Sequence, residues 1–344
     1  MENERLIHIL ETHFDPVWGA PYWLEKTGRL DFSPLRDIKS INDLERFPGV
    51  PRTALATRPV TDFIPRRFHD RLAAFVTCET GGTTGMPART AFREDEFHAA
   101  FIEPFVQAVE LVHFPKGRPW LFVGPSGPHP IGKAARSCAR ATGSMDPFMV
   151  DFDPRWFRKM PRESMFRERY FEHILEQATA ILRSQDIGVL FSTPPVIQAL
   201  GERMEPSLRH AVEGVHLGGM PADAAFWNLL TTEWFPRAVP LSGYGNSLAG
   251  MCPQLAIEAG APPEYFPHGD RLILRVNAAR NEGRGQVIFT RLDESCFLPN
   301  MVERDEAGVS APPVHALTAG FSGMGISNPC PPPGTPAETQ EGLY

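Results

Sequence analysis

The sequence predicts an α/β protein in which helices flank a largely parallel sheet and a smaller β-rich lobe follows. Three observations support this prediction. Strand-like apolar runs alternate with amphipathic segments of helical period from residue 75 to residue 203, the pattern of a parallel sheet with helices on its faces. After residue 241 the helical period fades, and short runs typical of antiparallel strands replace it. The chain also contains 35 prolines in 344 residues, about twice the usual share, which indicates many short connections.

The first predicted element is a helix at residues 4–12, followed by an irregular aromatic stretch. In the α/β part, strands are predicted at residues 75–78, 120–123, 149–152 and 187–191, and helices at residues 94–112, 131–141, 166–183 and 195–203. Short strands at 216–217 and 238–241 come next. The β-rich lobe contains predicted strands at 271–276 and 286–291, joined by Asn281, Glu282 and Gly283. Residues 311–344 are rich in Pro, Gly, Ser and Thr and are predicted to be a loose tail.

The composition predicts a soluble, cytoplasmic protein that handles small molecules. An apolar fraction of 42% with 22% charged residues is that of a globular chain. The net charge of -7 disfavours nucleic acid and anionic membranes as partners, because both need a basic surface. No apolar run is long enough to span a bilayer, and the first residues lack the apolar core of a signal peptide. Five widely spaced cysteines predict neither a disulfide framework nor a metal site.

A glycine-rich segment follows the predicted strand at 75–78. It reads Thr80, Gly81, Gly82, Thr83, Thr84, Gly85, Met86 and Pro87. Closely spaced glycines let backbone N–H groups converge on an anion, and the threonine hydroxyls add donors, so this loop could bind phosphates. The alternative on the residues alone is a flexible surface turn.

The segment resembles the S-S-G-T-T-G-K-P phosphate loop of acyl-adenylate-forming enzymes, the phenylacetate-CoA ligase-like members in particular. Three later segments agree in order and spacing. Residues 218–221 resemble the family's G-A-E-P adenine segment, residues 242–247 its Y-G-x-T-E segment, and residues 286–305 the stretch that ends in T-G-D. The resemblance covers residues 1–308 and includes the family's large amino-terminal domain, without the small carboxy-terminal catalytic domain. It extends to the single-domain ligases of phenazine and griseoluteic acid biosynthesis, which implies a role in antibiotic and secondary-metabolite biosynthesis.

The resemblance implies a set of site residues. The nucleotide would be bound by Thr80, Gly81, Gly82, Thr83, Thr84, Gly85, Gly218, Gly219, Met220, Tyr244, Gly245, Asn246 and Asp305, with Asp305 on the ribose. An aromatic or other apolar carboxylic acid would be bound by Phe122, Gly124, Ser126, His129 and Gly243. Ser247, facing the α-phosphate, and His129 would be the catalytic residues. The implied cofactors are ATP, Mg²⁺ held mainly by the nucleotide, and CoA, and the acceptor could also be a carrier protein.

Three departures from the family pattern leave its catalytic competence open. The lysine that ends the family's phosphate loop is Met86 here, and the glutamate that helps to hold Mg²⁺ falls at Leu248. The third departure is the domain that supplies the catalytic lysine, which the matched segments do not include. A catalytically impaired module that binds nucleotide or acyl groups is therefore the alternative to an active ligase.

Two other patterns offer different functions. Gly245 to Gly250 resembles the G-x-S-x-G turn of α/β-hydrolases, with Ser247 as nucleophile and acid or base candidates in Asp270, Asp293, Asp305, His268 and His315. A basic and aromatic cluster at residues 155–170 could bind RNA or an acidic carrier protein. A solvated helix start is the plainer interpretation of that cluster.

Overall fold

A computed structural model of the protein describes residues 2–82, 85–127, 129–256, 262–277 and 283–332. The α-helices are α1 (Glu2–Phe14), α2 (Pro21–Thr27), α3 (Pro34–Asp37), α4 (Arg52–Thr57), α5 (Glu94–Phe97), α6 (Glu103–Val112), α7 (Ile131–Ala141), α8 (Pro154–Lys159), α9 (Met165–Ser184), α10 (Pro194–Arg203), α11 (Pro206–Ala211), α12 (Ala224–Leu229) and α13 (Val314–Leu317). Short 3₁₀ segments lie at Ile41–Arg46, Val60–Asp62 and Arg66–Ala74, and π-helical segments at His98–Ile102 and Leu230–Trp234.

The strands are β1 (Phe75–Glu79), β2 (Arg89–Arg93), β3 (Trp120–Gly124), β4 (Phe148–Asp151), β5 (Val189–Ser192), β6 (Gly214–Leu217), β7 (Val239–Asn246), β8 (Gly250–Pro253), β9 (Glu264–Tyr265), β10 (Leu272–Asn277), β11 (Gly285–Leu292), β12 (Phe297–Ser310) and β13 (Gly325–Cys330). Thr83, Thr84, Asn281, Glu282 and residues 333–344, which carry some of the predictions above, lie outside the described residues.

The central sheet has six strands in the order β4-β3-β5-β6-β7-β8. Its first five strands are parallel, and β8 joins the edge antiparallel to β7. Side chains alternate between its faces, so that Trp120 and Phe122 pack with α6 and α7 while Leu121 and Val123 pack with α9 and α10. The predicted α/β class with a largely parallel sheet is confirmed.

The first predicted strand is real, but it does not belong to this sheet. β1 pairs antiparallel with β2, a strand that the sequence analysis missed, and the two form a separate hairpin. The described residues of the glycine-rich segment lie between the two strands of this hairpin, so the chain returns alongside β1 before α5 begins. Seven short helices in the described residues were also missed, because four to seven residues are too few to show a helical period; they are α2, α3, α4, α8, α11, α12 and α13.

The β-rich lobe is a five-stranded antiparallel sheet in the order β10-β11-β12-β13-β9. The predicted pairing of β10 with β11 is confirmed. The prediction of a loose tail from residue 311 is wrong for the described part, because β13 lies between β12 and β9 and Ile326 and Phe321 are fully buried. Residue 308, where the family resemblance ends, lies inside β12. Composition suggested a tail because it does not register the backbone hydrogen bonds that β13 makes in the sheet.

A π-helical segment brings the helix layer against the end of the central sheet. Pro104 lacks an N–H, and its ring disfavours a regular α-helical turn, which accounts for the wider turn at His98–Ile102. The backbone of Ala100 then lies so close to Gly250 that a Cβ there would be 2.6 Å from the Ala100 carbonyl oxygen. Gly250 therefore allows the β7–β8 hairpin to pack on the helix layer.

None of the helices in the described ranges is long and apolar enough to cross a membrane.

Candidate functional site

The candidate site lies at the carboxyl ends of the parallel strands. β3 lies between β4 and β5, so the connections from β3 and from β4 run to opposite sides, and such a switch point leaves a crevice above the sheet. The segment with His129 follows β3, Gly218 follows β6, and Ser247 follows β7. Three segments that are distant in sequence are thus brought together.

The glycine-rich loop is fixed at its base. The Thr80 N–H donates to the Ala88 carbonyl at 2.9 Å, and the Ala88 N–H donates to Thr80 Oγ1 at 2.9 Å. Gly82 has a φ of 66°, which a side chain would strain. Within the described part of the loop, the N–H groups of Gly81 and Gly82 make no hydrogen bond, so both can donate to an anion.

Arginines surround this loop. Arg155 Nη1 lies 2.5 Å from Glu79 Oε1, and Arg158 donates to the Gly81 carbonyl at 3.3 Å. On the opposite wall, Arg52 Nη2 lies 3.1 Å from Glu303 Oε1, beside Arg304. The predicted basic cluster thus contributes two arginines to the loop. Whether the rest of it binds a partner stays a prediction.

The β7–β8 turn is held in shape by side chains. Asn246 Oδ1 accepts hydrogen bonds from the backbone N–H groups of Leu248 at 2.7 Å and Ala249 at 3.0 Å, while its amide donates to Glu303 at 2.5 Å. From below, Arg291 donates to the Leu248 carbonyl at 3.3 Å and Arg271 to the Ala249 carbonyl at 2.9 Å.

Both arginines are bound by Asp293, which is fully buried. Arg271 Nη2 lies 2.7 Å and Arg291 Nε 2.6 Å from Asp293 Oδ2. Desolvation opposes ionisation of Asp293, but the two guanidinium groups outweigh it and lower its pKa to about 2. A buried charge network therefore supports the turn that carries Ser247.

Ser247 and His129 are in direct contact. Ser247 Oγ lies 3.1 Å from His129 Nε2 and donates its proton to the Glu79 carbonyl at 3.0 Å. The Ile131 N–H donates to His129 Nδ1 at 3.2 Å, so Nδ1 carries a lone pair and Nε2 carries the ring proton. His129 therefore donates to Ser247, which is the reverse of what a general base would do.

Three cavities meet at the β7–β8 turn. The first, the apolar cavity, has a volume of about 50 Å³. Among its lining residues are Phe101, Ile131, Phe191, His216, Gly243 and Met251. The second, the loop cavity, has about 290 Å³ between the glycine-rich loop, Arg52 and Glu303. The third, the tyrosine cavity, has about 470 Å³ and is lined by Gly219, Met220, Tyr244, Tyr265, Asp305 and their neighbours. Asn246 lines all three, and Ser247 lines the first two.

The tyrosine cavity contains an aromatic face and three carboxylates, those of Asp223, Glu303 and Asp305. Tyr244 donates its hydroxyl to Asp305 Oδ2 at 3.1 Å, and its ring centre lies 5.7 Å from that of Tyr265. Burial raises the pKa values of Tyr244, Asp305 and Glu303 above their ordinary values. Glu303 and Asp305 are two apart on β12, so they face the same side of the sheet.

The structure brings most of the predicted site residues together. The loop cavity has Thr80, Gly81, Gly82 and Gly85 in its wall, and Gly218, Gly219, Met220, Tyr244, Gly245, Asn246, Ser247 and Asp305 line one or more of the three cavities. Of the residues predicted to bind the acid, His129 and Gly243 line the apolar cavity.

Phe122, Gly124 and Ser126 do not line the apolar cavity. Phe122 is fully buried against Phe191, with 5.1 Å between the ring centres, because its position on β3 points it into the core. Gly124 is buried at the end of β3, and Ser126 is exposed, with its N–H bound to Asp151.

Several lining residues were not predicted, and three polar ones among them are His216, Glu303 and Arg52. His216 is a polar residue in an otherwise apolar strand, and Glu303 precedes Asp305 by two positions. Both could have been found from these patterns. Arg52 reaches the loop cavity from α4, far away in sequence, and no local pattern indicates it.

No protein-family model matches the chain, and no curated protein sequence matches it. Solved structures do. An open conformation of 2-hydroxyisobutyryl-CoA ligase in complex with 2-HIB-AMP and CoA matches with a TM-score of 0.67 at 15% identity, over 99% of this chain and 76% of that chain. The postadenylation state of that ligase with R3-HIB-AMP matches with a TM-score of 0.65 at 14% identity, over 95% of this chain and 65% of that chain.

The chain has the fold of this ligase. It spans 76% of the ligase chain in the first of these structures and 65% in the second. At such low identity the similarity establishes the fold and leaves the activity to be argued from the site.

The structural context of Ser247 differs from that of an α/β-hydrolase. Ser247 lies in a hairpin turn between antiparallel strands, whereas the hydrolase turn joins a strand to a helix. Two of the proposed partners are engaged elsewhere, since Asp293 is buried between arginines and His268 lies 3.0 Å from the Ala319 carbonyl. The hydrolase interpretation is therefore wrong for this turn.

Proposed function

We propose that the protein activates a carboxylic acid with ATP, giving an acyl-adenylate and pyrophosphate. The observation that supports this most is the meeting of the three cavities at Asn246 and Ser247. One cavity suits an acyl group, one a polyphosphate and one a nucleoside. An acid and a nucleotide placed in them would meet at a single point, and such positioning is a large part of catalysis of phosphoryl and acyl transfer.

In this proposal the chain's own residues bind and orient the nucleotide. The N–H groups of Gly81 and Gly82 donate to phosphate oxygens, and Arg52 with Arg304 offsets their charge. Asp305 accepts hydrogen bonds from ribose hydroxyls, and the base lies against Tyr244. The carboxylate oxygen of the acid attacks the α-phosphorus, the bond to the bridging oxygen breaks, and pyrophosphate leaves with that electron pair.

Mg²⁺ would be held by the nucleotide and by Glu303. Within the described residues no group of three or more His, Cys, Asp or Glu could hold a metal ion, and Glu303 is the carboxylate in the wall of the loop cavity. Mg²⁺ is commonly bound by one or two carboxylates together with substrate phosphates, so this arrangement fits. The metal would neutralise charge on the phosphates.

The neighbouring structures support the same reaction class, since the ligase was solved with AMP conjugates and CoA. We propose CoA or a carrier protein as the acceptor, in the cytoplasm. The sequence resemblance supports an aromatic acid and a role in secondary-metabolite biosynthesis. The small volume of the apolar cavity supports a short acid instead.

The alternative is a module that binds nucleotide without turnover, and two observations favour it. Met86 is 67% exposed on the loop and offers no cation, and Leu248 is fully buried in the apolar core, where it cannot reach a metal.

Calorimetric titration with ATP and Mg²⁺, followed by acid-dependent exchange of labelled pyrophosphate into ATP, tests the proposal. Gly82→Ala and Gly117→Ala form a matched pair, because their φ values are 66° and 70° and Gly117 lies away from the three cavities. We expect Gly82→Ala to lower ATP affinity about tenfold or more, and Gly117→Ala to leave it unchanged.

Pyrophosphate exchange that depends on any of the carboxylic acids tested supports a ligase. ATP binding without pyrophosphate exchange supports the module that binds nucleotide without turnover. Absence of nucleotide binding to the unaltered protein would contradict both.

A further inference from the structure

His216 supplies a hydrogen-bonding atom to the apolar cavity. It lies on β6, is 3% exposed and lines the cavity together with Phe101, Phe191 and Met251. Its ring is held between two phenylalanines, with 4.2 Å to the ring centre of Phe191 and 4.9 Å to that of Phe105. The ring therefore has a fixed orientation.

The protonation state of His216 follows from its one hydrogen bond. Nδ1 lies 2.8 Å from the Leu241 carbonyl oxygen, which can only accept, so Nδ1 carries the proton. Burial lowers the pKa of His216 to about 4, so the ring is neutral near pH 7. Nε2 then carries a lone pair and is a hydrogen-bond acceptor.

This acceptor has no partner in the described part of the chain. Three other polar side chains in the cavity wall are already engaged. Ser247 donates to Glu79, Tyr244 to Asp305, and Asn246 to Glu303. Nε2 is not among the fully buried unpaired atoms of the described residues, and His216 lines the cavity, so a ligand in the cavity can donate a hydrogen bond to it.

We propose that Nε2 of His216 accepts a hydrogen bond from a hydroxyl group on the acyl chain of the acid, so that the protein selects short hydroxy acids. This inference rests on the proposed function and narrows its substrate class. The small volume of the cavity favours a short chain.

The donor is a hydroxyl because the cavity wall carries no charged side chain among its described residues. An ammonium or a second carboxylate would lose its hydration without gaining a counter-charge. Removing a hydroxyl from water costs less free energy than removing a charged group, and one hydrogen bond to Nε2 offsets that cost.

Pairs of acids in which a methyl group replaces the hydroxyl test the inference. Lactate is compared with isobutyrate, glycolate with propionate, and β-hydroxybutyrate with isovalerate. For each pair we measure kcat/KM in acid-dependent pyrophosphate exchange, and binding of the acid by calorimetry with AMP present.

Two substitutions separate the hydrogen bond from packing. His216→Asn keeps a donor near the Nδ1 position for the Leu241 carbonyl and removes the Nε2 acceptor. His216→Gln places an amide oxygen near the Nε2 position. Thermal melting checks that both variants fold.

We expect the unaltered protein to prefer the hydroxy member of at least one pair by roughly fivefold to tenfold. The preference should fall to within about twofold in His216→Asn and persist in part in His216→Gln.

Equal use of both members of every pair by the unaltered protein would overturn the inference, as would a preference that survives in His216→Asn. If no acid supports exchange, the adenylation proposal fails, and the binding measurements then decide the inference alone. Hydroxy acids that bind no more tightly than their methyl counterparts would refute it.

Discussion

Replacing Asp293 by asparagine is expected to destabilise the protein strongly and to weaken the site. The side chain of Asp293 is fully buried, and it binds Arg271 through Oδ1 at 3.1 Å and Oδ2 at 2.7 Å, and Arg291 through Oδ2 at 2.6 Å. Asparagine keeps one oxygen and turns an NH₂ group toward a guanidinium. Two buried positive charges would then lack a counter-charge.

The loss in the free energy of unfolding caused by Asp293→Asn can be calculated in two ways. Breaking a buried ion pair by removing one partner costs about 3–5 kcal/mol. Independently, a pKa lowered from 3.8 to about 2 in the folded protein corresponds to about 2 kcal/mol of stability. Because the folded-state pKa is depressed, this stability is present above pH 3.8 and is lost as the pH falls toward 2. We therefore expect Asp293→Asn to lose about 2–5 kcal/mol at pH 7.

Equilibrium unfolding in urea at pH 7 measures this loss. Asp146→Asn is the matched control, since Asp146 also pairs with an arginine, at 2.6 Å from Arg140 Nε, but its side chain is 47% exposed. An exposed pair contributes about 0–1 kcal/mol.

The site should respond as well, because Arg271 and Arg291 hold the carbonyls of Ala249 and Leu248. Asp293→Asn is expected to weaken ATP binding under conditions where it remains folded. If Asp293→Asn lowers the free energy of unfolding and the affinity for ATP no more than Asp146→Asn does, the argument that this network supports the turn is refuted.

Three further outcomes are expected. Leu248→Glu, which restores the family's residue, should destabilise the protein by several kcal/mol, because the side chain is fully buried among apolar residues. Thermal unfolding measures this loss. A variant as stable as the unaltered protein would show that position 248 faces the site. Met86→Lys should tighten ATP binding a few-fold at low salt, with a smaller gain at high salt, whereas Met145→Lys, at a similarly exposed position, should not. Burial lowers the pKa of His13 and of His216 from 6.5 to about 4. Between pH 6.5 and pH 4 the unfolded chain therefore binds more protons than the folded protein. The free energy of unfolding should fall by about 3 kcal/mol for each histidine as the pH is lowered from 6.5 to 4. His13→Gln should flatten that slope in urea unfolding at several pH values, and an unchanged slope would contradict the argument.

The sequence was informative where a pattern extends over several turns or strands. The eleven residues of α7 show a clear helical period and were predicted with their correct bounds. The segments with Tyr244 and Asp305 were identified because a family pattern places polar and aromatic residues at fixed spacing. The structure adds that their side chains are joined by a hydrogen bond of 3.1 Å.

The remaining features depend on contacts between distant parts of the chain. Arg52 reaches Glu303 from α4 across 251 positions of sequence, and β1 finds its partner in β2 instead of in the parallel sheet. The family resemblance assigned Phe122 to the acid site, yet the alternation along β3 turns its side chain into the core. Which strands pair, and which side of a strand faces the core, is fixed by the tertiary fold, and local sequence patterns do not encode it.

The position of β13 has a consequence for how the chain folds as it is synthesised. β12 and β9 are made first, but in the finished sheet they do not touch, because β13 lies between them. Until residues 325–330 emerge, the long strand β12 exposes one edge, and an exposed edge is a template for pairing with another chain. The sheet that carries Glu303 and Asp305 is therefore complete only after β13 has been synthesised. Shortened chains that end before residue 325 should aggregate, even though every residue of the three cavities up to Asp305 would be present in them.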